Sequence, residues 1–202
     1  MVLVQGDLAP SEIVGLASRV DVIINSANNH LLSRGCTGIS GALLAAGGPE
    51  LQRLSDAAKR NAGGEVAIGE AVLTAGGMLP CSVVHAVGMG YRHGNRVKAT
   101  PDSVKRALVS ALQVAGAAGL RTAATKLMCS RRGYSSCPDD EAPAMMLAAM
   151  RSAVEEAAST PGGCGALESI VVYVPAKLLV LPEDYSPPLT ESGACARRTS
   201  FQ

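Results

Sequence analysis

DVIINSANNHLLSRGCTGISGALLAAGG, residues 21–48, contains a strand, a polar loop and the start of a helix in immediate succession. Val22, Ile23 and Ile24 are apolar and β-branched, as in a strand buried within a sheet. At Asn25 the pattern turns into a polar, glycine-bearing loop, and it resumes over Ala42–Ala46 as a short helix. A strand that exits into a loop and then a helix N-terminus is how α/β proteins build anion sites. The loop amides and the helix dipole converge on the same point. Asn25 and Asn28 add side-chain amides that both donate and accept, which suits a sugar phosphate or a nucleotide. The plainer reading of the same residues is an ordinary turn.

The chain around this stretch has 202 residues, enough for one sizeable core. Four Tyr, one Phe and no Trp leave few stacking platforms, which argues against a single-strand nucleic-acid surface. A net charge of +1 recommends neither nucleic acid nor membrane as a partner. No apolar run reaches membrane-span length, and the first residues lack a signal-peptide layout. The six Cys (36, 81, 129, 137, 164 and 195) form no CxxC pair and read as free thiols of a reducing compartment, cytoplasmic or nuclear. No Cys/His pair has zinc-ligand spacing, so no metal or other cofactor is expected.

MVLVQ (1–5) reads as a first strand, followed by Gly6, Asp7 and Leu8. Asp7 at a strand end can accept from a ligand amine or serve as a turn residue. Ser11 is placed to cap a short helix. Gly47-Gly48 stops the helix of the opening stretch, and Pro49 begins another, PELQRLSDAAKRN. EAVLT (70–74) and SVVHAV (82–87) read as strands, with His85 as a core histidine rather than a base. Residues 88–100 read as a polar loop. A long helix starts at Asp102 or Ser103, and Thr122–Met128 is a strand leading into a second polar loop, CSRRGYSSCP. Asp139–Ala158 is a helix with Met145, Met146, Met150 and Val154 as its core stripe, and SIVVYVP (169–175) is a last strand. From about Leu181 the Pro/Ser-rich composition predicts fraying or disorder, giving a domain over 1–180 and a tail over 181–202. This alternation predicts an α/β/α sandwich on a mixed, mostly parallel sheet of about six strands. Loops 25–41 and 129–138 fall at one edge of that sheet, where such folds bind ligands.

Four segments now resemble a known family: QGDL (5–8), DVIINSANNHLL (21–32), GISGALLAAGGPEL (38–51) and GEAVLTAGGMLPCSVVHAVG (69–88). In that order and spacing the chain resembles a macro domain, the ADP-ribose-binding module, over roughly residues 2–175. The resemblance implies that Asp7 accepts from the adenine amine and that Leu8 gives backbone contact. It implies that Asn25 and Asn28 follow the second strand, with Asn28 on the distal ribose and orienting substrate and water in a hydrolase. The first phosphate loop maps onto Gly38, Ile39, Ser40 and Gly41. The second ends in Gly133, Tyr134, Ser135, Ser136, Cys137 and Pro138.

Three departures from the family pattern bear on chemistry. The glycine run beside the ribose is replaced by Ser33-Arg34-Gly35-Cys36-Thr37, about two residues longer, which crowds the ribose. The Asp that many hydrolases of the family carry is Ser40, whose hydroxyl cannot replace a carboxylate as base at neutral pH without activation. Ser135 stands where an aromatic ring packs on the ligand. Both loops have gained Arg, and Arg34 with Arg131 or Arg132 can be read as a diphosphate clamp or as solvated loop-tip charges. Three functions remain in play. The first is a reader of ADP-ribose or ADP-ribosylated protein. The second is a hydrolase acting on ADP-ribosylated acidic side chains or O-acyl-ADP-ribose. The third is a diverged macro fold that takes another nucleotide or a protein partner.

Overall fold

The computed structural model describes residues 1–6, 8, 10–33, 35–175 and 198–200. Seven strands form one continuous path, in the order β3-β4-β2-β6-β7-β1-β8, and β5 pairs β4 off that path. The strands are β1 (Val2–Gln5), β2 (Val22–Asn28), β3 (Ala71–Thr74), β4 (Ser82–Arg92), β5 (Asn95–Val97), β6 (Thr122–Lys126), β7 (Ser169–Val174) and β8 (Arg198–Ser200). Pairings β1–β7, β2–β4, β2–β6 and β6–β7 are parallel; β3–β4, β4–β5 and β1–β8 are antiparallel. The mixed, mostly parallel sheet is the expected one, with more strands than the expected six.

The helices α1 (Pro10–Ala17), α2 (Gly38–Asn61), α3 (Pro101–Ala117) and α4 (Ala142–Ser159) cover both faces. Alternation along β2 shows how: Val22 and Ile24 join the cluster containing Val104, Leu108 and Met146, whereas Ile23 joins that of Ile13, Leu43 and Leu51. Residues buried on both faces are what a parallel sheet between two helical layers requires.

Several boundaries depart from the sequence expectation. Asn25 lies inside β2, which runs on to Asn28 rather than breaking at Asn25. The loop expected over 88–100 is mostly hairpin, because β4 continues to Arg92 and β5 folds back on it. Its turn is His93-Gly94, both at positive φ (50° and 78°), which is the two-residue geometry that matches strand twist. Helix α1 begins at Pro10, so Ser11 sits inside its first turn instead of capping it. Helix α2 begins at Gly38, earlier than Ala42, and bends at Gly48 (φ 66°, ψ −166°) ahead of Pro49. Thr100 caps α3 by accepting from Ser103 N, so that helix starts one residue early. On α4, Met146 and Met150 are fully buried, but Met145 is 40% exposed and lies off the core stripe. The expected tail lies outside the described residues except for Arg198–Ser200, which pairs with β1.

Candidate functional site

A cavity of about 260 Å³ opens where β2, β6 and β4 end, walled by the N-terminus of α2 and the loop after β6. Among the expected site residues, Asn28, Gly38, Ile39, Ser40 and Tyr134 line it, and so does Arg131. Leu8, Asn25, Gly41, Arg132, Gly133 and Ser135 do not. Asp7 and Arg34 lie outside the described residues.

The placements follow from local structure. Asn28 ends β2 in a tight turn: its Oδ1 accepts from His30 N at 2.8 Å, which leaves Nδ2 as the donor at the cavity wall. Gly38 opens α2 at φ 64°, a conformation that favours glycine, and Arg131 Nη1 lies 3.6 Å from where its Cβ would stand. The two loops therefore meet through Arg131. Gly41 serves packing, since a Cβ there would stand 2.6 Å from the Cys36 carbonyl oxygen. Arg132 turns to Asp139 (3.0 Å) with its side chain 91% exposed. Ser135 is buried, its hydroxyl accepting from Cys137 N at 2.9 Å, and the ring on the cavity wall comes from the preceding residue, Tyr134.

Asn25 is wholly buried and belongs to a polar chain that ends at the cavity. Thr74 donates its hydroxyl proton to the Val83 carbonyl (3.3 Å), which makes Thr74 Oγ1 the acceptor from His85 Nε2 (3.2 Å). His85 Nδ1 then accepts from Asn25 Nδ2 (3.2 Å), and Asn25 Oδ1 accepts from Ser40 Oγ (2.9 Å). Ser40 thus spends its proton inward and presents lone pairs to the cavity. Full burial holds the His85 imidazole down at about 4, so it is neutral at physiological pH.

The cavity is cationic. Lys126, at the end of β6, lines it with Arg131, and its ammonium is shifted below the ordinary lysine value by burial and by Arg131. Two cations beside the amides of a helix N-terminus are the elements from which an anion site is built. Among the described lining residues there is no carboxylate and no His. Cys129 lines the wall, but burial pushes its thiol up to about 11, which removes it as a nucleophile at neutral pH. No group of three or more His, Cys, Asp or Glu side chains suited to a metal occurs among the described residues. No described helix is long and apolar enough to cross a membrane.

Sequence reasoning missed Met89, Tyr91 and Lys126. Tyr91 is held by buried Asn29, whose Oδ1 accepts from Tyr91 N (2.9 Å) while Nδ2 donates to Tyr91 O (3.0 Å) and Glu65 Oε2 (2.7 Å). The available signal was His93-Gly94, a hairpin turn that extends β4 into the site.

The model of the family described as Macro domain matches residues 24–146, a span that takes in both cavity loops. A protein of Enterobacter sp. (strain 638) named O-acetyl-ADP-ribose deacetylase is 36% identical over 123 residues. That alignment covers 60% of this chain, and the chain spans only 62% of the Enterobacter protein's length. The macro domain-containing protein in the gbd 3' region of Cupriavidus necator is 32% identical over 77% of this chain and 82% of its own length. Among solved structures, a Trypanosoma brucei macrodomain in complex with ADP-ribose superposes with a TM-score of 0.57. It is 28% identical, over 85% of this chain and 62% of that one. By fold, by the matched segment and by the Cupriavidus relative, the chain belongs to the macro domain family.

Proposed function

We propose that the cavity binds ADP-ribose, free or carried on a protein. The observation that carries this reading is the junction of Arg131, Lys126 and the α2 N-terminus around one space, with the Asn28 amide beside it. The diphosphate sits on the cations and loop amides, and the distal ribose lies against Asn28 and Tyr134. At about 260 Å³ the cavity is below the ~300–1,000 Å³ usual for an enclosed ligand, so the base extends along the open sheet edge toward β1 and Leu8. The Trypanosoma macrodomain bound to ADP-ribose supports the same ligand.

A second reading, hydrolysis of O-acyl-ADP-ribose, is favoured by the name of the Enterobacter relative. The described cavity wall offers no carboxylate or imidazole as base, and Ser40 directs its hydroxyl hydrogen to Asn25. Hydrolysis here would depend on a water held by Ser40 lone pairs, Asn28 and the ligand's own phosphate. Binding is therefore the primary function.

Two assays test this. ADP-ribose at about 100-fold over its Kd should raise Tm by roughly 5–10 °C; no shift at millimolar ligand would overturn binding. O-acetyl-ADP-ribose incubated with the protein should stay intact over many binding lifetimes. Multiple turnovers that vanish in Asn28→Ala would make the chain a hydrolase.

A further inference from the structure

The β4–β5 hairpin has a feature that ADP-ribose alone does not use. It exposes Arg92, His93, Arg96 and Lys98 to solvent. Alternation puts Met89 and Tyr91 of β4 on the cavity face, and both line the cavity. Arg96 is the register partner of Tyr91 and shares that face. Its guanidinium carbon lies 4.9 Å from the Tyr134 ring centroid and 5.9 Å from that of Tyr91. Both phenols are cavity walls, so the guanidinium spans the mouth between them.

The position is built rather than incidental. The Tyr91 backbone is fixed by Asn29, its ring stacks on His30 (centroids 6.0 Å apart), and Arg96 Nη2 reaches the Tyr91 hydroxyl at 3.5 Å. Packing against the rings covers the faces of a guanidinium and leaves the N–H groups not turned to the Tyr91 hydroxyl for an anion. No ion pair joins Arg96 to a carboxylate among the described residues; the groups acting on it are the two phenols. Glu65, which shares a separate surface pocket with Tyr91 and His93, is engaged by Asn29.

We propose that Arg96 recognises a carboxylate of an acidic polypeptide segment joined to the distal ribose of the bound nucleotide. This rests on the ADP-ribose reading of the cavity, which places the distal ribose at the β4 side and the base at the β1 side. Whatever is attached to that ribose leaves the cavity past Tyr91 and Tyr134, beneath Arg96. Cations of the hairpin match a partner rich in Asp and Glu. Arg96 donates N–H groups of its planar fork to the carboxylate oxygens.

The test is calorimetric, on the full chain, with three ligands at physiological ionic strength: free ADP-ribose, a mono-ADP-ribosylated peptide flanked by Glu and Asp, and one flanked by Ser and Gly. The acidic conjugate should bind about 5-fold tighter than the neutral one, and the gap should close at high salt. Arg96→Gln should abolish the gap while leaving free ADP-ribose within about 2-fold of the wild-type value. Arg96→Lys should restore only part of the gap, because an ammonium lacks the fork. Equal affinity for the two conjugates, or a loss for free ADP-ribose as large as for the acidic conjugate, overturns the proposal. An ADP-ribosylated oligonucleotide that outcompetes the acidic peptide also overturns it. If the wild-type chain binds none of the ligands, free ADP-ribose included, the cavity reading fails first and the proposal with it.

Discussion

Ser40 stands where the family resemblance implies an acid, and its hydrogen bonds say what it can do. A hydroxyl whose proton points at Asn25 can accept from a water or a ribose hydroxyl, and it cannot remove a proton from either. The polarity is inherited from His85, whose protonation would turn Nδ1 from acceptor to donor and set it against the Asn25 amide. This ties the site to a pH window. The unfolded imidazole titrates near 6.5 and the folded one at about 4, so between these values the unfolded chain binds more protons and stability rises with pH. The His85 contribution is complete above pH 6.5, declines as pH falls toward 4 and is flat below that, with a total on the order of 3 kcal/mol. Asp21 acts lower on the scale. Backbone hydrogen bonds from Arg121 and Thr122 hold its carboxyl below its ordinary 3.8, so its share is lost only as pH falls through that range. Urea unfolding from pH 4 to 7, with NMR titration of the His85 ring, should show this decline and a ring that stays neutral above pH 5. A ring titrating near 6.5 would contradict the buried relay. That Asn28 would line the cavity was readable from its place at the end of a buried strand; for Ser40 the same was readable only through the family resemblance. The inward role of Asn25 was not, because nothing local says that β2 continues three more residues and buries it.

Helix α2 carries the first loop, and its kink sets where the N-terminal half points. Gly48 sits at φ 66° and ψ −166°, a region essentially reserved for glycine, and a Cβ there would meet Met78 Sδ at 2.8 Å. Gly48→Ala should cost about 1–3 kcal/mol in chemical denaturation; a change under about 0.5 kcal/mol would show that the kink tolerates a side chain. The Gly-Gly-Pro run announced this break in sequence, since glycine stops a helix and proline opens the next. The β4–β5 hairpin was not announced in the same way. Only Gly90–Arg92 pairs with Asn95–Val97 and most of these residues are polar, so they match a loop by composition, and the positive φ of His93 and Gly94 makes the turn. Met145 shows the limit of periodic reading: neighbouring methionines on one helix divide between core and solvent, because adjacent residues point about 100° apart.

Across the whole molecule the sheet order explains why one cavity forms at all. Parallel strands β4, β2 and β6 end at one edge, so the loop after β2 and the loop after β6 become neighbours although about a hundred residues separate them in the chain. That alternation of strands and helices was readable from periodicity, as was the placement of two polar loops at the same edge. Which arginine enters the cavity was not, because Arg131 and Arg132 are adjacent and chemically identical. The structure separates them: Arg131 lines the cavity beside Gly38 at the α2 N-terminus, and Arg132 pairs with Asp139 in solvent. The difference makes one titration decisive. Calorimetry of ADP-ribose binding to Arg131→Ala and Arg132→Ala should show the first weakened about 10-fold or more and the second unchanged within about 2-fold. Equal affinity in both variants and the wild type would mean that no cation of this loop holds the diphosphate, and the account of the cavity would be wrong.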